Sequence, residues 1–274
     1  MEAIPLVSIV CTTYNHERYI KQALDGFICQ QTNFTFEIII HDDASTDGTV
    51  KILQEYEQKY PSLFHNIYRT ENWYSQGKNI WKYLFQEIAR GKYIAICEGD
   101  DYWIDPLKLQ KQIDFLEANG EYSMCFHRVN FINGDVDMHK SSKLYDKQIF
   151  SQIDIAKHNY INTCSVVFRN CSKQLELDLF SQCKTADYVL WMLLSSCGKL
   201  FFFTESMASY RIASENSVWS GRTSIYQYCN WISTLKVLIR HFKGRIRYVL
   251  LYQLFICTQI LGIKYILSLC GIGK

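Results

Sequence analysis

The sequence predicts an α/β fold, a mostly parallel open sheet with helices on both faces. Three observations lead there. Short, nearly continuous apolar runs recur through the first 130 residues, separated by stretches with apolar residues at helical spacing. The connections between them are short. Polar clusters follow the apolar runs, at the strand ends where ligands bind in such sheets.

Residues 6–13 are an apolar run ending in polar side chains, as expected of a strand buried on both faces. Residues 17–29 place Ile20, Ala23, Leu24 and Phe27 on one helical face. Residues 36–41 read as a second buried strand. Ser45 and Thr46 then offer N-caps to a helix carrying Val50, Leu53 and Tyr56 as far as Tyr60, stopped by Pro61. A short strand is expected at 66–69, a helix at 79–90 ended by Gly91, and another buried strand at 92–97. Residues 106–119 carry Leu109, Ile113 and Leu116 on one helical face, and 122–127 read as a strand. The polar stretch 130–160 is expected to be a loop or small-strand insertion. Beyond it the pattern predicts strands at 162–168, 199–203 and 206–212, and a helix at 187–196. The expected division is a main domain over 1–221, with halves 1–126 and 127–221, followed by a helical extension over 222–274.

The chain has 274 residues, 48% of them hydrophobic and 20% charged, with only 13 Gly and three Pro. That excludes collagen-like, linker-rich and disordered chains. A formal net charge of +2 argues against a nucleic-acid binder. The charge is uneven, however. Eight of the 29 basic residues, and no acidic ones, follow Glu215, leaving an acidic body and a basic tail. The eleven cysteines form no C-x-x-C pair, and Cys11, Cys97, Cys125 and Cys257 sit in apolar runs. They read as buried free thiols of a reducing compartment. No basic n-region or cleavage site precedes the first strand, so a cytoplasmic chain is expected.

In the tail, Lys236, Arg240, His241, Lys243, Arg245 and Arg247 alternate with apolar residues, and an uncharged run from 248 to 263 follows. Sixteen residues fall short of the roughly 20 that span a bilayer. The pattern suits a helix lying in an anionic membrane surface, or a helical hairpin packed on the body.

Three polar clusters carry chemistry. Glu98, Gly99, Asp100 and Asp101 follow the strand at 92–97, and carboxylates so close repel one another unless a cation joins them. Hard oxygen ligands suit magnesium or manganese with phosphate; the plain alternative is a solvated acidic turn. Residues 41–49 (His41, Asp42, Asp43, Ala44, Ser45, Thr46, Asp47, Gly48, Thr49) could bind a nucleobase or ribose, or simply cap a helix. Thr12, Thr13, Tyr14 and Asn15 close the first strand, where an aromatic face could stack on a base.

In this order the clusters resemble glycosyltransferase family 2, the inverting nucleotide-sugar transferases of GT-A fold, over about the first 220 residues. Residues 41–49 are close to the family's D-D-x-S-x-D-x-T signature, and 98–103 match its D-x-D region. The resemblance implies that Thr12, Tyr14 and Asp43 hold the nucleotide, its base being uracil. It puts Asp100 on ribose or metal-bound phosphate, and Asp100 or Asp101 on Mn2+ or Mg2+. Glu98 replaces the family's usual first Asp. Asp187, in Thr185-Ala186-Asp187, falls where the family carries its catalytic acid pair, with Ala186 in place of Glu or Gly. It is then the general base, its plain alternative being a helix N-cap. Residues 210–220 resemble a closing Y-R-x-H-x-x-x-x-W-S motif in which Ala213 occupies the His position. Arg211 there either pairs with diphosphate or makes a structural ion pair.

The expected reaction is metal-dependent transfer of one sugar to a saccharide or lipid-linked saccharide acceptor, in cell-surface polysaccharide biosynthesis at the cytoplasmic membrane face. Processive synthases carry Q-x-x-R-W, whereas residues 227–231 lack the Arg. A sugar nucleotidyltransferase would want a Gly-rich basic loop after the first strand, and 12–18 contain no Gly. The non-enzyme alternative is a nucleotide-sugar-binding module docked on a membrane assembly.

Overall fold

The computed structural model describes residues 4–134, 136–183, 185–212 and 224–269. Among them ten strands form one sheet. The expected boundary at 221/222 lies outside the described residues.

The apolar runs become β1 (Val7–Thr13), β2 (Phe36–Asp42), β3 (Phe64–Tyr68) and β4 (Tyr93–Ile96), all parallel, in the order β3-β2-β1-β4. Between them lie α1 (Ile20–Ile28), α2 (Thr49–Lys59) and α3 (Ile80–Tyr83), which runs into a single π-turn at Leu84–Ile88. Then follow β5 (Tyr102–Trp103), α4 (Lys108–Ala118) and β6 (Tyr122–Asn133). The stretch expected to be irregular continues β6 to Asn133 and adds β7 (Val136–Ser141), β8 (Ile149–Phe150) and α5 (Gln152–Lys157).

The second half departs from simple βα alternation. The strand expected over 162–168 is a short 3-10 turn followed by β9 (Val167–Arg169). It inserts antiparallel between β4 and β6. After α6 (Ala186–Cys197), the two strands expected at 199–203 and 206–212 are one long strand, β10 (Lys199–Ile212). Its pairing with β6 shifts register between Phe203 and Ser206 and again before Ala208, so the polar break in the sequence is a bulge. The sheet ends on β5, antiparallel to β10, which the short apolar dipeptide gave no signal for.

Alternation along the strands sends side chains to two cores. Ile9, Cys11, Ile38, Ile40 and Ala95 meet the apolar faces of α1, α2 and α4. Val10, Ile39, Ile94 and Ile96 meet α5 and α6, with α7 (Ser224–His241) and α8 (Gly244–Leu269) behind them. Helix α6 is buried continuously from Tyr188 to Ser195, as befits a helix enclosed by the sheet and the two C-terminal helices. Cys11, Cys97, Cys125 and Cys257 are buried free thiols, whereas Cys29, Cys197 and Cys229 are exposed.

Candidate active site

Because β1, β2 and β4 are parallel neighbours, their carboxyl ends share one edge, and the three polar clusters meet there. The loops after β1 and β2 are stapled together. Asn15, held at φ 53°, donates its backbone N–H to Ser45 Oγ at 2.8 Å, and its Oδ1 accepts from Thr46 N at 2.7 Å. His16 N donates to Thr49 Oγ1 at 2.9 Å. Tyr14 stands at the outer rim, 37% exposed. Thr12 is half-buried, and its carbonyl accepts from Gly99 N at 3.0 Å. A Cβ on Gly99 would lie 2.8 Å from Thr13 Oγ1, so only glycine lets the acidic loop approach β1 this closely.

Asp43 is buried. Its Oδ1 accepts from Trp73 N at 2.7 Å and its Oδ2 from Tyr74 N at 2.9 Å, anchoring the loop after β3 against the site. Asp42 accepts from both the backbone and the hydroxyl of Ser45.

In the acidic loop, oxygens of Glu98, Asp100 and Asp101 lie within 4.8 Å of one another. Asp101 is buried. Its Oδ1 accepts from Arg211 N at 2.8 Å, while its Oδ2 has no hydrogen-bond partner. Burial, then the charges of Asp100 and Glu98, pushes the Asp101 carboxyl well above the ordinary range. Burial, then Asp100 and Asp187, pushes Glu98 up to about 8. A site where burial and mutual repulsion favour protons on its carboxylates also favours a divalent cation. The all-oxygen donor set and the orphaned Oδ2 fit magnesium or manganese.

Arg211 reaches this loop because β10 runs beside β5. Its Nε donates to the Asp100 carbonyl at 2.8 Å and its Nη2 to Gln22 Oε1 at 2.7 Å; Nη1 bonds the Gly134 carbonyl. The guanidinium also lies 4.2 Å from the Tyr19 ring centroid. Arg211 is thus buried and braced against the acidic loop. Residues 213–220 of the closing motif lie outside the described residues.

Asp187 sits in the first turn of α6, with Thr185 as N-cap residue. The Thr185 hydroxyl donates to Thr234 Oγ1 instead of capping the helix. Asp187 Oδ2 accepts from Asn159 Nδ2 at 3.2 Å. Burial pushes its carboxyl above the usual range, partly offset by hydrogen bonds from the Tyr188 backbone and Asn159. It is near enough to Glu98 for its charge to raise that carboxyl. The structure therefore brings an acid from the second half of the chain to the acidic loop of the first.

The sequence profile of glycosyl transferase family 2 matches residues 8–175, more than half of the chain. The chain belongs to glycosyltransferase family 2. Among its relatives, the putative teichuronic acid biosynthesis glycosyltransferase TuaG of Bacillus subtilis is 30% identical over 223 residues, covering 80% of this chain and 83% of TuaG. An uncharacterized protein of Mycobacterium tuberculosis is 39% identical over 209 residues; the match covers 75% of this chain but 58% of that protein's length. S. aureus TarS in complex with UDP-GlcNAc superposes with a TM-score of 0.65 at 15% identity, covering 91% of this chain and 71% of that one. The mannosyltransferase PcManGT of Pyrobaculum calidifontis, in complex with GDP-Man and Mn2+, gives 0.63 at 14%, covering 93% and 70%. These likenesses show the fold to be GT-A, while the chain spans under three fifths of the length of its mycobacterial relatives.

One residue of the site edge carries no motif signal. Arg69, just after β3, lays its guanidinium 3.5 Å from the Trp73 ring centroid and 4.7 Å from that of Tyr83. Its Nε donates to His41 Nε2 at 3.2 Å, and its Nη2 is buried without a hydrogen-bond partner. Burial holds His41 neutral, lowered to about 4, so it can accept that bond. A cation directly after a strand, followed by aromatics, was the available signal.

Proposed function

We propose that this family 2 enzyme transfers one sugar, with inversion, from a UDP-sugar to a saccharide acceptor carried on a lipid. The reaction belongs to cell-surface polysaccharide assembly and takes place at the cytoplasmic face of the membrane. The observation that carries the reading is the convergence of the Glu98, Asp100 and Asp101 carboxylates at the strand-end edge, with a buried Asp101 oxygen left unpartnered. The name of TuaG and the UDP-GlcNAc complex of TarS support the substrate class.

In this reading Tyr14 offers its ring to the base, and Thr12 and Asp43 line the nucleotide side. Asp43 does so while tying down the 72–74 loop, since each carboxylate oxygen keeps a second lone pair. Asp100 and Asp101 would hold Mn2+ or Mg2+. When bound, the ion neutralises charge developing on the diphosphate leaving group. Arg211 fixes the acidic loop from behind, and its buried guanidinium keeps positive charge beside the diphosphate position. Asp187 takes the proton from the acceptor hydroxyl as that oxygen bonds to the anomeric carbon and the bond to the diphosphate breaks. One displacement inverts the configuration.

Thermal unfolding with a panel of nucleotide sugars and manganese tests the reading. A ligand that binds only the folded chain raises the melting temperature. The expected result is a shift with a UDP-sugar that requires the metal, together with slow hydrolysis of that sugar without acceptor. A shift without any hydrolysis or transfer would leave only a binding module.

A further inference from the structure

Helix α8 has two faces. Ile246, Val249, Leu250, Leu254, Cys257 and Leu261 pack inward, and the helix runs along α7 and α5. On the opposite side Tyr248, Tyr252, Phe255, Ile263 and Tyr265 are 59% to 74% exposed, with Leu251 beside them. Tyr248, Leu251, Tyr252 and Phe255, at spacings of three and four, form an apolar and aromatic patch that no described residue covers; exposed Thr258, Gln259 and Gly262 separate it from Ile263 and Tyr265. Lys236, Arg240, Lys243, Arg245 and Arg247 are exposed near the amino-terminal end of the patch. At about 100° per residue, Arg245 and Arg247 flank Tyr248 on either side of the patch. No acidic residue follows Glu215.

We propose that the outer face of α8 docks the enzyme on an anionic lipid bilayer, with the helix lying in the plane of the membrane. The charge pattern selects this occupant: an apolar patch with aromatic rings, bordered by Lys236, Arg240, Lys243, Arg245 and Arg247, with Glu176 the acid beside His241, complements acyl chains beneath negative headgroups. The inner face decides the orientation. Gly244–Tyr265 is apolar enough to span, but its uncharged part from 248 to 263 is only about 24 Å long at 1.5 Å per residue. It is also fastened to the body from Ile246 to Leu261.

The docking helices are joined to the helix of the proposed base. Thr185 bonds Thr234 of α7 at 2.6 Å, and the Tyr188 and Trp231 rings lie 4.4 Å apart, on either side of Asp187 in sequence. Docking therefore sets the position of Asp187 relative to the bilayer, a consequence that rests on the transferase reading; the docking itself does not.

The test is cosedimentation of the full chain with vesicles of phosphatidylcholine, with and without phosphatidylglycerol. Binding to the anionic vesicles is expected, weakened by salt. Tyr252→Ser with Phe255→Ser should lower the partition coefficient roughly tenfold or more. Arg245→Gln with Arg247→Gln should lower it by about fivefold per charge on anionic vesicles only. All of these residues are exposed, so the UDP-sugar thermal shift should persist; its absence in every form would count against the donor reading alone. In Phe255→Trp the new fluorescence should be quenched more by lipids brominated near the headgroup than near the chain end. Deep quenching would overturn the in-plane geometry. Equal sedimentation of all variants, or a lipid-free dimer whose formation depends on Phe255 with no vesicle binding, would overturn the docking.

Discussion

Asp187→Asn is expected to leave UDP-sugar binding and the melting temperature near normal while lowering turnover by roughly 10²-fold or more. Asn fills nearly the same volume and its side-chain oxygen can still accept from Asn159 and the Tyr188 backbone, so a purely structural role predicts almost no loss. What Asn lacks is the basic, negatively charged oxygen that takes up the acceptor proton. The pH dependence gives a second readout. Burial raises the Asp187 carboxyl, so it takes up its proton at higher pH than an ordinary aspartate. A base works only when deprotonated, so kcat/KM should fall as pH drops through that raised value. The residual activity of the Asn variant should have lost this acid limb. Full turnover in Asp187→Asn would remove the residue from the role.

Asp101→Asn is the second large expected effect, and its sign differs with and without metal. The Asn oxygen can still accept the Arg211 amide, so the brace on the loop is kept. The variant loses a buried negative charge crowded by Glu98 and Asp100. Without divalent ions its melting temperature should hold or rise, because a charge buried beside two other carboxylates is costly. With manganese and a UDP-sugar the stabilisation seen in the wild-type chain should disappear, and turnover should fall by roughly 10²-fold or more. An unchanged manganese titration would count against Asp101 as a ligand.

The sequence showed the first half of the fold most clearly. Strands β1, β2 and β4 are buried on both faces and so read as unbroken apolar runs, and their polar ends marked the site edge. Strand β9 could not be read the same way, because a three-residue strand has no period and no sign of its antiparallel direction. The two apparent strands of β10 were separated by Thr204 and Glu205, which are exposed at the bulge and look from sequence alone like a turn. The carboxylates of the site stood out as clusters with strand-end spacing. Arg69 did not, because its meaning comes from His41, Trp73 and Tyr83, which converge on it only after folding. For Arg211 both a ligand and a structural partner were open. The structure shows its brace to Asp100, Gly134 and Gln22, which no spacing rule could have supplied.

That brace has a consequence for the order in which the molecule is made. Asp101 waits for the amide of a residue 110 positions downstream, and Gln22 for a side chain 189 positions away. Contacts so distant in sequence close late, and a chain emerging amino-terminus first cannot close them until its last strand is synthesised. The acidic loop therefore leaves the ribosome long before it can be clamped, and an unfinished chain cannot yet hold these carboxylates in their final geometry.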